Sequence, residues 1–482
     1  MGNDFMASGE GSTTLELPLY PVAYALGVRL SGRVSSSLLG DVSGKGSGTM
    51  SLVTIGLLVI VLLFVLFFFG VEIGFAMGIA GFIGFAWIRG WESACTVAAN
   101  DVYSVVSSYG FSVIAMFVLM GQVAASGGVA KKLYDSAYRF LGHIPGGLAI
   151  GTVAAGTAFK AICGNAPATA ATFATIAVPE MDKYGYDKRL SCGTVATVGT
   201  LGIMIPPSTT LIIYGILTET SIGKLFLAGL IPGLIIAFSF VVTLLTWGRI
   251  NPNFGPKGEK SSWRQRFASV TPMLPVSTIF LLVVGGILMG YFTPTEAGSV
   301  GSFSVFLYLL LTKDMDFRRL VKAIVESLRI ACMVIILLAG ATIMGHFFAV
   351  TRTPFMVASW LGGLGLGPFA VMLIIIAVYV IGGSFIDHLA FLILATPIFV
   401  PVVVSLGYDP VWYGIIVGVV TMIGIVIPPL GINVFVVSGV TKVPINTIYQ
   451  GCYPYIVGMT ICLFILLLFP QISLWLPNMF IH

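Results

Sequence analysis

The chain has 482 residues, of which 57% are hydrophobic and 9% charged, against about 25% charged in a soluble protein. That balance excludes a soluble globular enzyme or a disordered chain and leaves an all-α polytopic membrane protein, with a lipid bilayer as its surroundings. The formal net charge of +5 implies no nucleic acid, because the Lys and Arg residues lie in loops between apolar runs, where they act as topology signals.

In chain order, residues 1–49 come first, Gly/Ser-rich with scattered charges and no apolar run of spanning length. They read as a poorly structured leader, an added sequence or a misplaced start. The membrane pattern begins at Met50. With about 20 apolar residues needed per span, candidate spans are 51–70, 73–89, 102–126, 190–219, 225–248, 270–291, 296–312, 329–350, 411–440 and 446–470. The spans at 190–219 and 411–440 are broken helices, interrupted at Pro206-Pro207 and Pro428-Pro429. Two further apolar regions, 144–182 and 367–406, are interrupted at Cys163–Pro167 and Phe385–His388 and read as helical hairpins. Stretches 129–143 and 316–328 mix Lys and Arg with apolar residues and are expected to lie on the membrane surface.

The chain repeats itself. Shifted by 222 positions without a gap, Asn165 meets Asp387, Pro179 meets Pro401, and Gly185-Tyr186-Asp187 meets Gly407-Tyr408-Asp409. The same shift brings Gly202 to Gly424, Pro206-Pro207 to Pro428-Pro429, Gly229 to Gly451 and Pro232 to Pro454. Loop charges then set the orientation. Region 144–182 is flanked by Lys131, Lys132 and Arg139 before it and Lys183, Lys188 and Arg189 after it, so both its ends lie inside. Region 367–406 has nearly neutral flanks, so both its ends lie outside. The expected fold is therefore an inverted-topology repeat with two re-entrant hairpins and two broken helices. The first repeat covers 50–248, a cytoplasmic linker 249–269, and the second repeat 270–482.

Interrupted helices at matching places in two halves point to a transport site. A helix ending at a hairpin tip aims carbonyls at it, and one beginning there aims N–H groups. A double proline removes N–H donors and leaves carbonyls of Thr200–Ile205 and Thr421–Ile427 free to hold a cation. Two Na⁺ sites are expected. The first uses Cys163, Gly164, Asn165, Gly199, Gly202, Ile205 and Pro207; the second uses Ile386, Asp387, Thr421, Gly424, Ile427 and Pro429. Substrate is expected near Lys160, Asn165, Pro167, Ser208, Asp387 and Asn433. Asp387 either ligates Na⁺ or caps a helix, with His388 orienting it. Lys160 occupies a cation's place, attracts an anion, snorkels, or pairs with a carboxylate.

The six cysteines have no metal-ligand spacing. No zinc-protease, nucleophile-elbow or phosphate-loop motif occurs, so the chain reads as no enzyme and as no ATPase. The energy source is then an ion gradient, with Na⁺ favoured as the co-transported ion and no prosthetic group. An intramembrane hydrolase built on Asp387 and His388 lacks a second carboxylate.

Three motif groups together resemble the large membrane subunit of tripartite ATP-independent periplasmic (TRAP) transporters. The first runs from Ala168-Thr-Ala-Ala-Thr172 through Gly199-Thr-Leu-Gly-Ile-Met-Ile-Pro-Pro-Ser208 to Gly229-Leu-Ile-Pro-Gly233; the second is Phe292-Thr-Pro-Thr-Glu-Ala297. The third joins Phe385-Ile-Asp387 to Pro428-Pro-Leu-Gly-Ile-Asn433 and Phe435-Val-Val-Ser-Gly439. The resemblance implies Na⁺-driven import of small organic acid anions (C4-dicarboxylate, sialic acid or keto-acid type) across the inner membrane by an elevator-type fold. It also implies two partners, a small four-helix membrane subunit and a periplasmic substrate-binding protein. A stand-alone Na⁺/anion symporter of related architecture is the alternative. The chain departs from the family pattern at the first tip, where Cys163-Gly164-Asn165-Ala166 replaces Ser-Gly-Ser-Ser and Lys160 replaces a small residue.

Overall fold

The structure is a computed structural model describing residues 51–251 and 255–480; the expected leader at 1–49 lies outside the described residues. The first half opens with α1 (Leu52–Phe68), α2 (Ile73–Arg89), α3 (Trp91–Ser107), α4 (Ser112–Ser126) and α5 (Val129–Leu141). A hairpin follows, α6 (Gly147–Lys160) and α7 (Ala166–Lys183). Next comes a broken helix, α8 (Lys188–Val198) and α9 (Thr209–Leu217), joined by a 3-10 turn at Gly199–Ile203, and then α10 (Ile222–Ile250). A short α11 (Trp263–Val270) leads to α12 (Met273–Leu288), α13 (Pro294–Leu311), α14 (Phe317–Val350) and α15 (Thr353–Gly363). The second hairpin is α16 (Pro368–Phe385) and α17 (His388–Ser405), and the second broken helix is α18 (Pro410–Gly424) and α19 (Ile432–Thr441). Helices α20 (Ile445–Leu468) and α21 (Gln471–Phe480) complete the described chain. Seven helical segments among the described residues are long and apolar enough to cross a membrane.

The 222-residue shift carries element onto element. It maps α7 onto the bounds of α17, and the start of α8 onto Pro410, the start of α18. The same residues do the same local work in both halves. Asn165 and Asp387 each cap the helix after a tip, accepting from Ala168 N at 2.9 Å and from Leu389 N at 3.0 Å. Asp187 and Asp409 each cap the helix that leads into a break, accepting from Arg189 N and Val411 N at 2.7 Å each. A side-chain oxygen at these positions satisfies N–H groups that a helix start otherwise leaves unpaired.

Several expected elements differ. The stretch 316–328 is no separate surface helix: α14 runs unbroken for 34 residues, about 51 Å at 1.5 Å per residue. Nothing between Phe317 and Val350 is Pro, and the Asp316 cap starts the helix early by accepting from Arg319 N at 2.7 Å. The equivalent segment of the first half is split into α3 and α4, so the span expected at 102–126 is two helices. Ser107, Ser108 and Gly110 sit at that split, and Ser107 Oγ turns back onto the Tyr103 carbonyl at 2.7 Å, the local side-chain bonding that competes with helix. The linker 249–269 carries α11, started by a capping box between Ser262 and Gln265. Helix α15, unmarked by any charge pattern, is the repeat equivalent of α5.

Two groups of helices emerge from the packing. In one, α14 lies along α2 and α4, and α13 along α4. The α2–α14 crossing is closest where a Cβ on Gly340 would lie 1.9 Å from the Gly74 carbonyl oxygen, the small-residue contact that lets membrane helices approach. In the other group the hairpins pack with the broken helices: α7 on α8 and α19, α16 on α18, and α8 on α20. Helices α5 and α15 run between the groups, α5 against α6 and α15 against α17.

Candidate functional site: two junctions of hairpin tip and helix break

The first tip is held on the first break by backbone contact. A Cβ on Gly164 would lie 2.2 Å from the Pro207 carbonyl oxygen, so only glycine lets the two strands of backbone meet. Thr209 at the start of α9 donates its hydroxyl to the Gly164 carbonyl at 3.2 Å. Lys160, 0% exposed, reaches from the last turn of α6 across the tip and donates to the Asn165 carbonyl at 3.0 Å. Its Nζ would lie 2.4 Å from a Cβ on Gly202, so the ammonium sits directly against the break. Burial excludes snorkelling, and among the described residues no carboxylate is within ion-pair distance of Lys160. Cys163 is buried, its Sγ accepting from Thr169 Oγ1 at 3.7 Å.

At the second junction the Leu430 N–H donates to the Ser384 carbonyl at 3.1 Å. A Cβ on Gly424 would lie 3.2 Å from the Gly383 carbonyl carbon. Asp387 Oδ1 accepts from Leu389 N and Ala390 N, and its Oδ2 lies 3.3 Å from His388 Nδ1. Asp387 thus caps α17, with His388 beside it. Position 382, the repeat equivalent of Lys160, is Gly382. The breaks also differ in exposure: Pro206, Pro207 and Ser208 are buried, whereas Pro428, Pro429 and Leu430 are exposed. Both double prolines are cis.

The carbonyls at the breaks are partly occupied. Leu201 O accepts from Met204 N and Ile205 N, and Ile203 O accepts from Ser208 Oγ at 2.6 Å. At the second break Thr421 O accepts from Ile425 N, Ile425 O from Asn433 N, and Pro429 O from the Tyr449 hydroxyl at 3.0 Å. A carbonyl has two lone pairs, so such a group can still face a cation. Among the described residues no cluster of three His, Cys, Asp or Glu could hold a metal. A cation here would be held by backbone and side-chain oxygens, the ligand set of a hard monovalent ion rather than a transition metal.

Of the expected residues, Lys160, Cys163, Gly164, Asn165, Gly202 and Pro207 come together. Ile205 turns its side chain toward α10, where a Cβ on Gly233 would lie 2.9 Å from Ile205 Cγ1. Pro167 is half-buried in the first turn of α7. Ser208 is buried and spends its hydroxyl on the backbone, capping α9 at Leu211 N. At the second junction the contacts run through Gly383 and Ser384, beside Ile386 and Asp387 rather than through them. Asn433 lies elsewhere than the second tip. Its amide donates to the Ala196 carbonyl at 2.9 Å, and a Cβ on Gly199 would meet Asn433 Nδ2 at 2.8 Å. The second break therefore supplies a buried amide to the neighbourhood of the first tip.

Gln122 and Thr209 belong to the site but were not expected there. With Phe117, Cys163, Gly164 and Asn165 they line a small recess between α4 and the first tip. The signal for Gln122 was a lone side-chain amide in an otherwise apolar run, expensive in a bilayer unless used. Thr209 carried no such mark.

Residues 60–472 match the family model described as the DctM component of the tripartite ATP-independent periplasmic transporter. The large permease protein of a C4-dicarboxylate TRAP transporter from Pseudomonas aeruginosa is 36% identical over 79% of this chain and 89% of its own. The large permease protein of a sialic acid TRAP transporter from Vibrio cholerae is 30% identical over 86% of this chain and 97% of its own. In fold, the crystal structure of the Alcanivorax borkumensis YdaH transporter, described as having an unusual topology, aligns over 80% of this chain and 90% of its own with a TM-score of 0.54 at 14% identity. The chain is a multi-pass membrane protein and belongs to the DctM family of TRAP transporter large permeases.

Proposed function

We propose that this chain is the large membrane subunit of a Na⁺-coupled importer of small organic acid anions in the cell inner membrane. The observation that carries the reading is the pair of repeat-matched junctions, each a hairpin tip held on the break of a broken helix. Backbone freed from helix inside a bilayer is stable only where protein buries it or where it lines a cavity, and helix ends aim partial charges at whatever lies between them. The second junction holds Na⁺ with carbonyls around Thr421–Ile427 and the tip at Ile386–Asp387. The substrate anion binds at the first tip beside Gln122, Asn165 and Thr209, where the recess leaves no room for a water in this conformation and has to open to admit it. The hairpin-and-break group is the moving transport domain of an elevator; the group formed by α2, α4, α13 and α14 is its scaffold, and α5 and α15 are the arms between them.

The relatives named as large permeases support two partners, a small four-helix membrane subunit and a periplasmic binding protein that delivers the anion. C4-dicarboxylates and sialic acid, named for those relatives, are the substrate classes to try first. The test is uptake into proteoliposomes holding this chain and the small subunit, with the binding protein supplied outside. Uptake should require an inward Na⁺ gradient and the binding protein. Uptake without the binding protein would instead make the chain a stand-alone symporter, and Na⁺-independent uptake would remove the coupling ion.

A further inference from the structure

We propose that the Lys160 ammonium is a tethered cation built into the first junction, so that this junction takes no diffusible Na⁺ and ion coupling falls to the second junction alone. The inference rests on the Na⁺-coupled reading above for its functional meaning, but its physical basis is separate.

The repeat supplies the comparison. Both junctions join a tip to a break, and both first hairpin arms end with their carbonyls directed at the tip, where the helix dipole is negative and attracts a cation. In the second half the arm carries Gly382 at the equivalent place, and the tip has a carboxylate, Asp387. In the first half the arm carries Lys160, and the tip has the neutral Asn165. One half therefore has an acidic side chain at its tip and a glycine on its arm, and the other has a neutral amide at its tip and a cation on its arm.

The position of the ammonium fits a seat rather than a surface. Lys160 is 0% exposed, gives a hydrogen bond of 3.0 Å to the Asn165 carbonyl, and lies against the backbone at Gly202. It bridges tip to break, which is the work an ion would do there. A buried charge must be compensated; among the described residues no carboxylate does so, and carbonyl dipoles remain. Lys160 does not line the recess beside Gln122 and Asn165, so it is not placed to meet an anion there. The break it touches is buried, whereas the second break is exposed at Pro428–Leu430.

The experiment is the thermal unfolding midpoint of the purified chain as NaCl replaces choline chloride, for wild type, Lys160→Ala and Lys160→Met. Binding to the folded state raises the midpoint in proportion to the logarithm of ion concentration and to the number of ions bound. Wild type should show the slope of one ion. Both variants should be less stable in choline and should show about twice the wild-type slope in Na⁺, because the emptied seat accepts an ion. Lys160→Met keeps the aliphatic stem, so it guards against loss of packing. If both variants fail to fold in choline, recovery of monodisperse protein on purification in Na⁺ supports the seat, and no recovery overturns it. A wild-type response with the same slope in the variants overturns the inference and leaves Na⁺ coupling intact. A response gained only by the variants upholds the seat while removing Na⁺ coupling from wild type. No response in any of the three overturns both.

Discussion

Asn433 of the second half donates its side-chain amide to the backbone carbonyl of Ala196 in the first half, at 2.9 Å and fully buried. The bond ties the helix after one break to the helix before the other. The ungapped repeat places Leu211 at the equivalent position, so the polar tie exists once. Its Oδ1 has no hydrogen-bond partner among the described residues. Asn433→Leu, which copies the other half, should cost about 1 kcal/mol for the lost bond and still fold. Uptake should fall by more than that loss of stability explains if the amide serves the first tip. Paired measurement of the melting midpoint and initial uptake rate checks it; parallel small losses in both would assign Asn433 to packing alone.

Gly164 gives a sharper steric test. A Cβ at this position would lie 2.2 Å from the Pro207 carbonyl oxygen, with backbone on both sides and no flexible side chain to yield. Gly164→Ala should separate tip from break and destabilise the fold by about 1–3 kcal/mol, as overpacking does. Gly345 on α14 is the control, since a Cβ there meets nothing within 4 Å. Gly345→Ala should be neutral or slightly stabilising, because alanine loses less entropy in a helix. Equal melting points for the two variants would show that the tip does not rest on the break.

The contrast between these positions also shows what the sequence carried. The repeat was legible because special backbone leaves marks: Pro206-Pro207, the Gly-Tyr-Asp turns and the Asn165/Asp387 caps all recur at one spacing. Hairpins, broken helices and the joining of tip to break followed from those marks. The split between α3 and α4 was hidden, because Ser and Gly there weaken a helix without forbidding it. The continuity of α14 was hidden for the opposite reason, since its Arg-rich start resembles a surface helix. In the site, Lys160 was conspicuous as a charge, but its seat against Gly202 depends on the fold of the break. The pairing of Asn433 with Ala196 crosses from one half to the other, and no local pattern reports it.

Asp387 separates capping from charge. Asn and Asp cap helices about equally well, and the two N–H groups bonded to Asp387 Oδ1 can bond to an amide oxygen as readily. Asp387→Asn makes the second tip match the first, where Asn165 caps α7. Stability in choline should be unchanged, while the Na⁺ concentration for half-maximal uptake should rise at least about tenfold, the loss of roughly 1.4 kcal/mol of ion affinity. Asp387→Ala should lose the cap as well, about 1 kcal/mol. Unaltered Na⁺ dependence in Asp387→Asn would restrict the residue to capping.

Lys132 on α5 pairs with Asp314 in the turn between α13 and α14, and the ammonium also lies over the Tyr308 ring at 5.5 Å. The hydrogen bond from Lys132 holds the Asp314 carboxyl below its ordinary value of 3.8. A carboxyl whose pKa is depressed by folding stabilises the fold above its unfolded value, and that contribution disappears as pH falls through the folded value. The pair should therefore stabilise the packing of α5 at neutral pH, start to lose that contribution as pH falls below the unfolded value of about 4, and lose it fully only below the folded value. Both side chains are about a third exposed, so the contribution should stay under about 1 kcal/mol and weaken in high salt. Asp314→Asn should lower the melting midpoint slightly at pH 7, with the difference from wild type shrinking steadily as pH falls below about 4 and in 1 M salt. A difference that persists at low pH would place the role of Asp314 in its hydrogen bonds rather than its charge.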